Sequence, residues 1–138
     1  MGKSTLDTNI FQTAAPSLRS VPSSASVKLF PAIQHVQCDS GVAPTVAVAV
    51  RKSISTDASY QGITPANYNG NEPRLIVKRA VALGLTVDTV VDTMTVAVGN
   101  WETLTGALPI PTDNGVYEVY VDCDGTAGWV NIDDWAVS

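Results

Sequence analysis

The side chains able to do acid, base or nucleophilic work are few in this sequence. A Ser-His-Asp or Cys-His arrangement needs a histidine as base, and the only one is His35, on an alternating stretch with no partnered nucleophile nearby. That setting reads as a structural strand histidine. Glu102, Glu118, Asp122, Asp124, Asp133 and Asp134 could supply the carboxylate pair of a glycoside hydrolase, which needs two facing groups roughly 5 to 9 Å apart. Neighbouring residues on a strand point to opposite faces, so Asp133 and Asp134 share a pocket only where a bulge intervenes. The chain therefore reads as non-catalytic.

Binding chemistry is better represented. Sugar recognition sets exposed aromatic rings against the apolar faces of the sugar, and Tyr60, Tyr68, Trp129 and Trp135 are the candidates, with Asn67 and Asn69 beside the tyrosines. Trp129 and Trp135 fit a core or a subunit interface better than a ligand platform, and Trp101 reads as core. Cys38 and Cys123 lack any CxxC or Cys-His spacing that would hold zinc. Synthesis in a reducing cytosol favours free, buried thiols over a disulfide between them.

Charge narrows the partners. The net charge is -5 and only 15% of residues are charged. Nucleic-acid binding needs clustered Lys and Arg, whereas the densest basic group here, Arg74, Lys78 and Arg79, sits in an apolar segment and reads as the solvent side of a strand. No run approaches the roughly 18 to 20 apolar residues of a membrane span. Met1 to Ser20 lacks the apolar stretch of a secretory signal, so the expectation is synthesis in the cytoplasm without export.

These residues need elements to hold them. Residues 1–25 show no sustained period and read as an extended arm, with Leu6, Ile10, Phe11, Leu18 and Val21 as anchors for a neighbouring subunit. Residues 26–138 form the domain proper. Val27 to Cys38 is an irregular strand around Pro31, Thr45 to Lys52 the clearest strand, and Ser53 to Pro73 a long, polar, functional loop. Arg74 to Ala82, Val87 to Val98, Trp101 to Thr105, Val116 to Cys123 and Gly128 to Val137 complete a set of about seven or eight strands. Ala80 to Leu85 forms a helical turn ended by Gly84. Short strands without intervening helices predict an all-β antiparallel sandwich or jelly roll.

The segments VAVAVRKS, PRLIV and GNWETLTGALPIPTDNGVYEVYVDCDGTAGWVNIDDWAV resemble, in order, the galactose-binding-like jelly rolls that include many carbohydrate-binding modules. The resemblance covers Thr45 to Val137 and rests on Trp101, Thr103, Thr105, Pro109, Trp129, Asp133 and Asp134. It implies a structural calcium to which Asp133 or Asp134 contributes, with Asp122 and Asp124 as a second cluster. Without it, these are turn and solvent-facing carboxylates. The C-terminal segments are also similar to structural proteins of bacterial viruses. The resulting expectation is a virion decoration or minor capsid protein, its partners the subunits of a homo-oligomer or lattice, with no cofactor beyond that calcium. The alternative is a carbohydrate-binding module gripping a glycan through exposed aromatics.

Overall fold

Alternation at period two sets the longest strands. Val46, Val48 and Val50 are buried on one side of their segment, and Tyr117, Val119, Val121 and Cys123 on one side of theirs. A computed structural model describes residues 3–7, 9, 10, 12, 17–21, 24–29, 33–59 and 62–138. Ten strands run through the described residues: β1 (Lys3–Asp7), β2 (Ser17–Val21), β3 (Ser24–Leu29), β4 (Gln34–Cys38), β5 (Thr45–Lys52), β6 (Arg74–Val77), β7 (Thr89–Thr93), β8 (Trp101–Ala107), β9 (Gly115–Gly125) and β10 (Val130–Val137). The only helical element among those residues is a single 3-10 turn, Val81–Leu83, closed by Gly84 in the left-handed region at φ 82°. That matches the turn expected at Ala80 to Leu85, because glycine takes this conformation without a Cβ penalty.

The strands form two antiparallel sheets, β1-β2-β10-β5-β8 and β3-β9-β6-β7, with β4 also paired to β9. β9 is the spine of the second sheet. One edge carries β6, and the other carries β4 along Gly115 to Val119 and then β3 near Cys123 and Gly125. The inner faces enclose one core, to which Val48, Val50, Leu104 and Ile132 come from the first sheet and Val36, Leu75, Tyr117 and Val121 from the second. Each such side chain contributes about 1.5–3 kcal/mol on burial. The all-β sandwich expected from the sequence is observed.

The N-terminal segment differs from its expectation. β1 pairs with β2, and β2 pairs with β10 through Val130↔Ser20, Asn131↔Arg19 and Ile132↔Leu18, so these residues extend the first sheet instead of projecting as an arm. The boundary at residue 25 falls inside β3. The free edge of β10 supplies the partner, and pairing of backbone groups needs no side-chain alternation to announce it. Of the expected anchors, Ile10 is half-buried. Phe11 lies outside the described residues, as do the side chains of Leu6, Leu18 and Val21.

The Val87 to Val98 run is also shorter than expected. β7 stops at Thr93, because the Glu102 carboxylate accepts hydrogen bonds from the backbone amides of Thr95 (2.6 Å) and Val96 (3.1 Å) and from the Thr95 hydroxyl (2.8 Å). Burial alone would raise the Glu102 pKa, but these donors and the Lys52 charge outweigh it and hold the carboxyl below its ordinary range.

Cys38 and Cys123 are both buried and are not joined in a disulfide. Cys38 pairs with Gly115 at the start of β9, and Cys123 stands further along that strand, about 26 Å away at roughly 3.3 Å per residue. A disulfide spans less than about 7 Å between Cα atoms, so this pair cannot close one without rearrangement. Burial pushes the Cys38 thiol up, making it a poor nucleophile. Native protein is expected to react with an aromatic disulfide reagent only as fast as it opens, with both thiols titrating at once in denaturant. Rapid labelling of native protein would contradict this burial.

Candidate functional site

β9 turns two faces in two directions. Tyr117, Val119 and Val121 point into the core, so Val116, Glu118, Tyr120 and Asp122 line the outer face, as its alternation predicts. The same alternation turns His35 of β4 outward beside buried Val36, and Ile76 of β6 pairs with Tyr120. In register, His35 lies directly across from Glu118. Lys78, just beyond β6, is drawn in from the other edge by its backbone amide, which donates to the Glu118 carbonyl at 2.7 Å.

These strands position an open groove of about 290 Å³ lined by His35, Lys78, Arg79, Ala80, Val116 and Glu118. Glu118 is its centre. Its Oε2 lies 3.1 Å from Lys78 Nζ and its Oε1 3.6 Å from His35 Nε2. All three side chains reach solvent, His35 at 65% exposure, so each can exchange its partner for a ligand hydroxyl. The expected structural histidine is thus a groove residue.

A smaller depression of about 50 Å³ continues past Lys78, lined by Ile33, Asp88 and Tyr120. The Arg79 amide donates to Asp88 Oδ1 at 2.6 Å, and the Tyr120 hydroxyl points to Asp88 Oδ2 at 3.5 Å. Burial, with Asp88 and Asp122 nearby, pushes the Tyr120 hydroxyl up to about 12, so it stays a neutral donor. Asp88 thus holds the backbone where the chain leaves β6, at Arg79. Further along this face, Arg74 forms an ion pair with buried Asp122.

The aromatic candidates are placed elsewhere. Tyr68 is buried, its hydroxyl donating to the Asn71 carbonyl at 2.9 Å and accepting from the Asp124 amide at 3.0 Å. Trp129 is completely buried on the outer side of the first sheet, its indole donating to Asn131 Oδ1 at 2.9 Å and its ring lying 5.0 Å from the Arg19 guanidinium carbon. Neither ring is open to a sugar. Tyr60 lies outside the described residues. Trp101 is half-buried and, paired with Arg51 on the side away from Leu104, faces out of the core it was expected to join.

Trp135 owes its position to the last strand's irregularity. A bulge interrupts the β10–β5 register between Asp133 and Ala136, with Asp134 at φ 50°. The extra residue reverses the alternation and turns Trp135 onto the core. Asp133 closes the bulge, accepting from the Asp134 amide at 2.9 Å on Oδ1 and from the Gln12 amide at 2.9 Å on Oδ2. Asp124 accepts from the Asn71 backbone and side chain at 2.7 and 2.9 Å. These aspartates tie backbone segments together, and among the described residues no three His, Cys, Asp or Glu side chains converge to hold a metal.

The long polar loop is likewise anchored, not free. Ser53 Oγ donates to the Ala66 carbonyl at 2.7 Å and accepts from the Trp129 amide at 2.8 Å, and Asn69 Oδ1 accepts from the Thr126 and Ala127 amides at 2.9 Å. Asn67 Oδ1 accepts from the Ser55 amide at 2.8 Å. These polar residues satisfy buried and turn backbone groups, which is why the loop is long yet structured.

No protein-family model matches the sequence, and no curated protein matches it either. Solved structures do. The chain superposes at a TM-score of 0.65, with 17% identity over 99% of its length, on the family 22 carbohydrate-binding and catalytic modules of the Clostridium thermocellum endo-1,4-β-D-xylanase 10B complexed with xylohexaose. It spans 24% of that chain. The C-terminal family 22 module of the same xylanase, studied for ligand binding in its cleft, gives a TM-score of 0.65 at 16% identity, covering 99% of this chain and 80% of that one. The chain has the fold of these carbohydrate-binding modules. An enzymatically active domain of bacteriophage CBA120 tailspike protein 4 shares it too, at a TM-score of 0.58 and 10% identity over 100% of this chain and 17% of that one. That likeness is to a tailspike and extends to the fold alone, so it gives the expected capsid decoration role no support of its own.

Proposed function

We propose that this chain is a carbohydrate-binding module that holds a glycan in the groove centred on Glu118. The observation that carries this reading is the groove itself: a carboxylate flanked by an ammonium and an imidazole, all partly exposed, on the outer face of a rigid sheet in a fold that xylan-degrading enzymes use for such modules. A pyranose presents neighbouring hydroxyls that each donate and accept. Glu118 can accept from two of them while Lys78 donates to a third, and the apolar Val116 and Ala80 on the rim suit the C–H edges of the ring.

The test is calorimetric titration against a panel of soluble polysaccharides, repeated with Glu118→Ala. Hydrogen bonds to a charged group contribute about 1.5–3 kcal/mol, so affinity is expected to fall by about 10- to 100-fold. The thermal midpoint should barely move, since the Glu118 side chain is partly exposed and lies outside the core. Unchanged affinity in that variant would remove the groove from the binding site, and a panel with no binder would sink the module reading.

A further inference from the structure

The charge of the groove runs against that of the chain. With a net charge of -5, the protein repels anions at long range. Most of its described cations are already engaged: Arg51 with Asp57, Lys52 with Glu72, Arg74 with Asp122, and Arg19 buried against Trp129. The Arg79 guanidinium is exposed and has no carboxylate partner among the described residues, and it lines the groove beside Lys78 and His35. Glu118 is the one carboxylate lining that groove, and it is already shared between Lys78 and His35.

We propose that the groove selects glycans bearing a uronic-acid carboxylate, which Arg79 engages while Glu118 and Lys78 hold the neighbouring hydroxyls. Two observations and one rule of hydrogen-bond geometry converge. Asp88 accepts from the Arg79 backbone amide at 2.6 Å, which holds the base of this side chain at the edge of the groove. A planar guanidinium matches a carboxylate in a two-bond fork, which a neutral hydroxyl cannot reproduce. The Asp88 carboxylate, the nearest competing anion of the adjoining depression, is occupied by the Arg79 amide and faces the Tyr120 hydroxyl. This deepens the glycan-binding proposal and rests on it.

The experiment measures affinity for matched pairs: unsubstituted xylan oligomers against the same oligomers carrying glucuronosyl branches, and fully methyl-esterified polygalacturonate fragments against the same fragments with free carboxylates. Each is titrated into wild type and into Arg79→Gln at low and high salt. The expected result is a preference on the order of tenfold for the acidic member of at least one pair, reduced by salt and collapsing towards unity in Arg79→Gln. Equal or tighter binding of the neutral member overturns the uronate proposal while leaving the glycan-binding reading standing. A preference that survives in Arg79→Gln also overturns it, since the selectivity would lie elsewhere. Failure to bind any member of either pair counts against both.

Discussion

Asp57→Ala is expected to destabilise the domain by about 3–5 kcal/mol, the cost of leaving a buried charge without its partner. Arg51 leaves the outer side of β5 and meets Asp57 in a two-bond fork, Nη1 to Oδ2 at 2.8 Å and Nη2 to Oδ1 at 2.7 Å. The two side chains are only 10% and 7% exposed. Arg51 Nε donates to the Gly99 carbonyl at 3.0 Å, and Asp57 Oδ2 also accepts from the Ile54 amide at 3.0 Å, so the pair joins β5, the following turn and the entry to β8. Removing the carboxylate strands the guanidinium. Replacing both residues with apolar ones of similar volume should recover much of the loss, as buried pairs often permit. Urea unfolding of the single and double variants measures both effects, and a single-variant loss below about 1 kcal/mol would reduce the pair to the value of an exposed one.

The same pair sets an acid limit. Burial alone would raise the Asp57 pKa, but the Arg51 hydrogen bonds, the Ile54 amide and the Arg51 charge outweigh it and hold the carboxyl below its ordinary value. A folded-state value below the unfolded one of about 3.9 means a contribution fully present above that pH and lost as pH falls through the folded value. The wild-type urea midpoint should therefore drop below about pH 4 more steeply than that of Asp57→Ala.

Trp129→Ala is expected to cost a further large amount, about 3–5 kcal/mol, and to do so whether or not a glycan is present. The ring is fully buried against Arg19, and its indole nitrogen is satisfied by Asn131. The neighbouring backbone is equally constrained. Gly128 sits at φ +75°, where an added Cβ would lie 2.6 Å from backbone atoms of Tyr68. Trp129→Phe keeps most of the buried area and should lose less, so it remains folded enough for titration. If Trp129→Phe lost glycan binding with its unfolding midpoint intact, the residue would belong to the ligand site after all.

Much of this architecture can be read from residue order. The alternation of Val46, Val48 and Val50, the two-faced pattern of Val116 to Cys123 and the Gly84 stop each reflect local backbone geometry, and each appears where expected. β1 and β2 do not announce themselves, because their pairing is dictated by the open edge of β10 and not by an amphipathic pattern. The groove was legible only in fragments. His35 and Glu118 stood out as chemical types, whereas Lys78 and Arg79 resembled any solvated strand face. What joins them is the register His35↔Glu118 together with the Lys78 amide bond to Glu118, and register between distant segments leaves no mark on the order of residues. Tyr68 misled for a related reason: its hydroxyl is a polar atom that a buried site can satisfy as readily as a ligand can.

The central position of β9 also governs how quickly the molecule can be assembled. Its contacts reach across 48 residues to Arg74 and 78 residues to Gln37, so no part of this strand is completed by a neighbouring hairpin. Long loops must close before any of that pairing is rewarded, which places such a topology in the millisecond-to-second range of refolding. β4 and β3 dock in series on one edge of β9, so a chain with only one of them in place exposes backbone donors and acceptors along the remainder. The hazard of aggregation during refolding is thus concentrated on this one edge, beside the groove in which the glycan is proposed to sit.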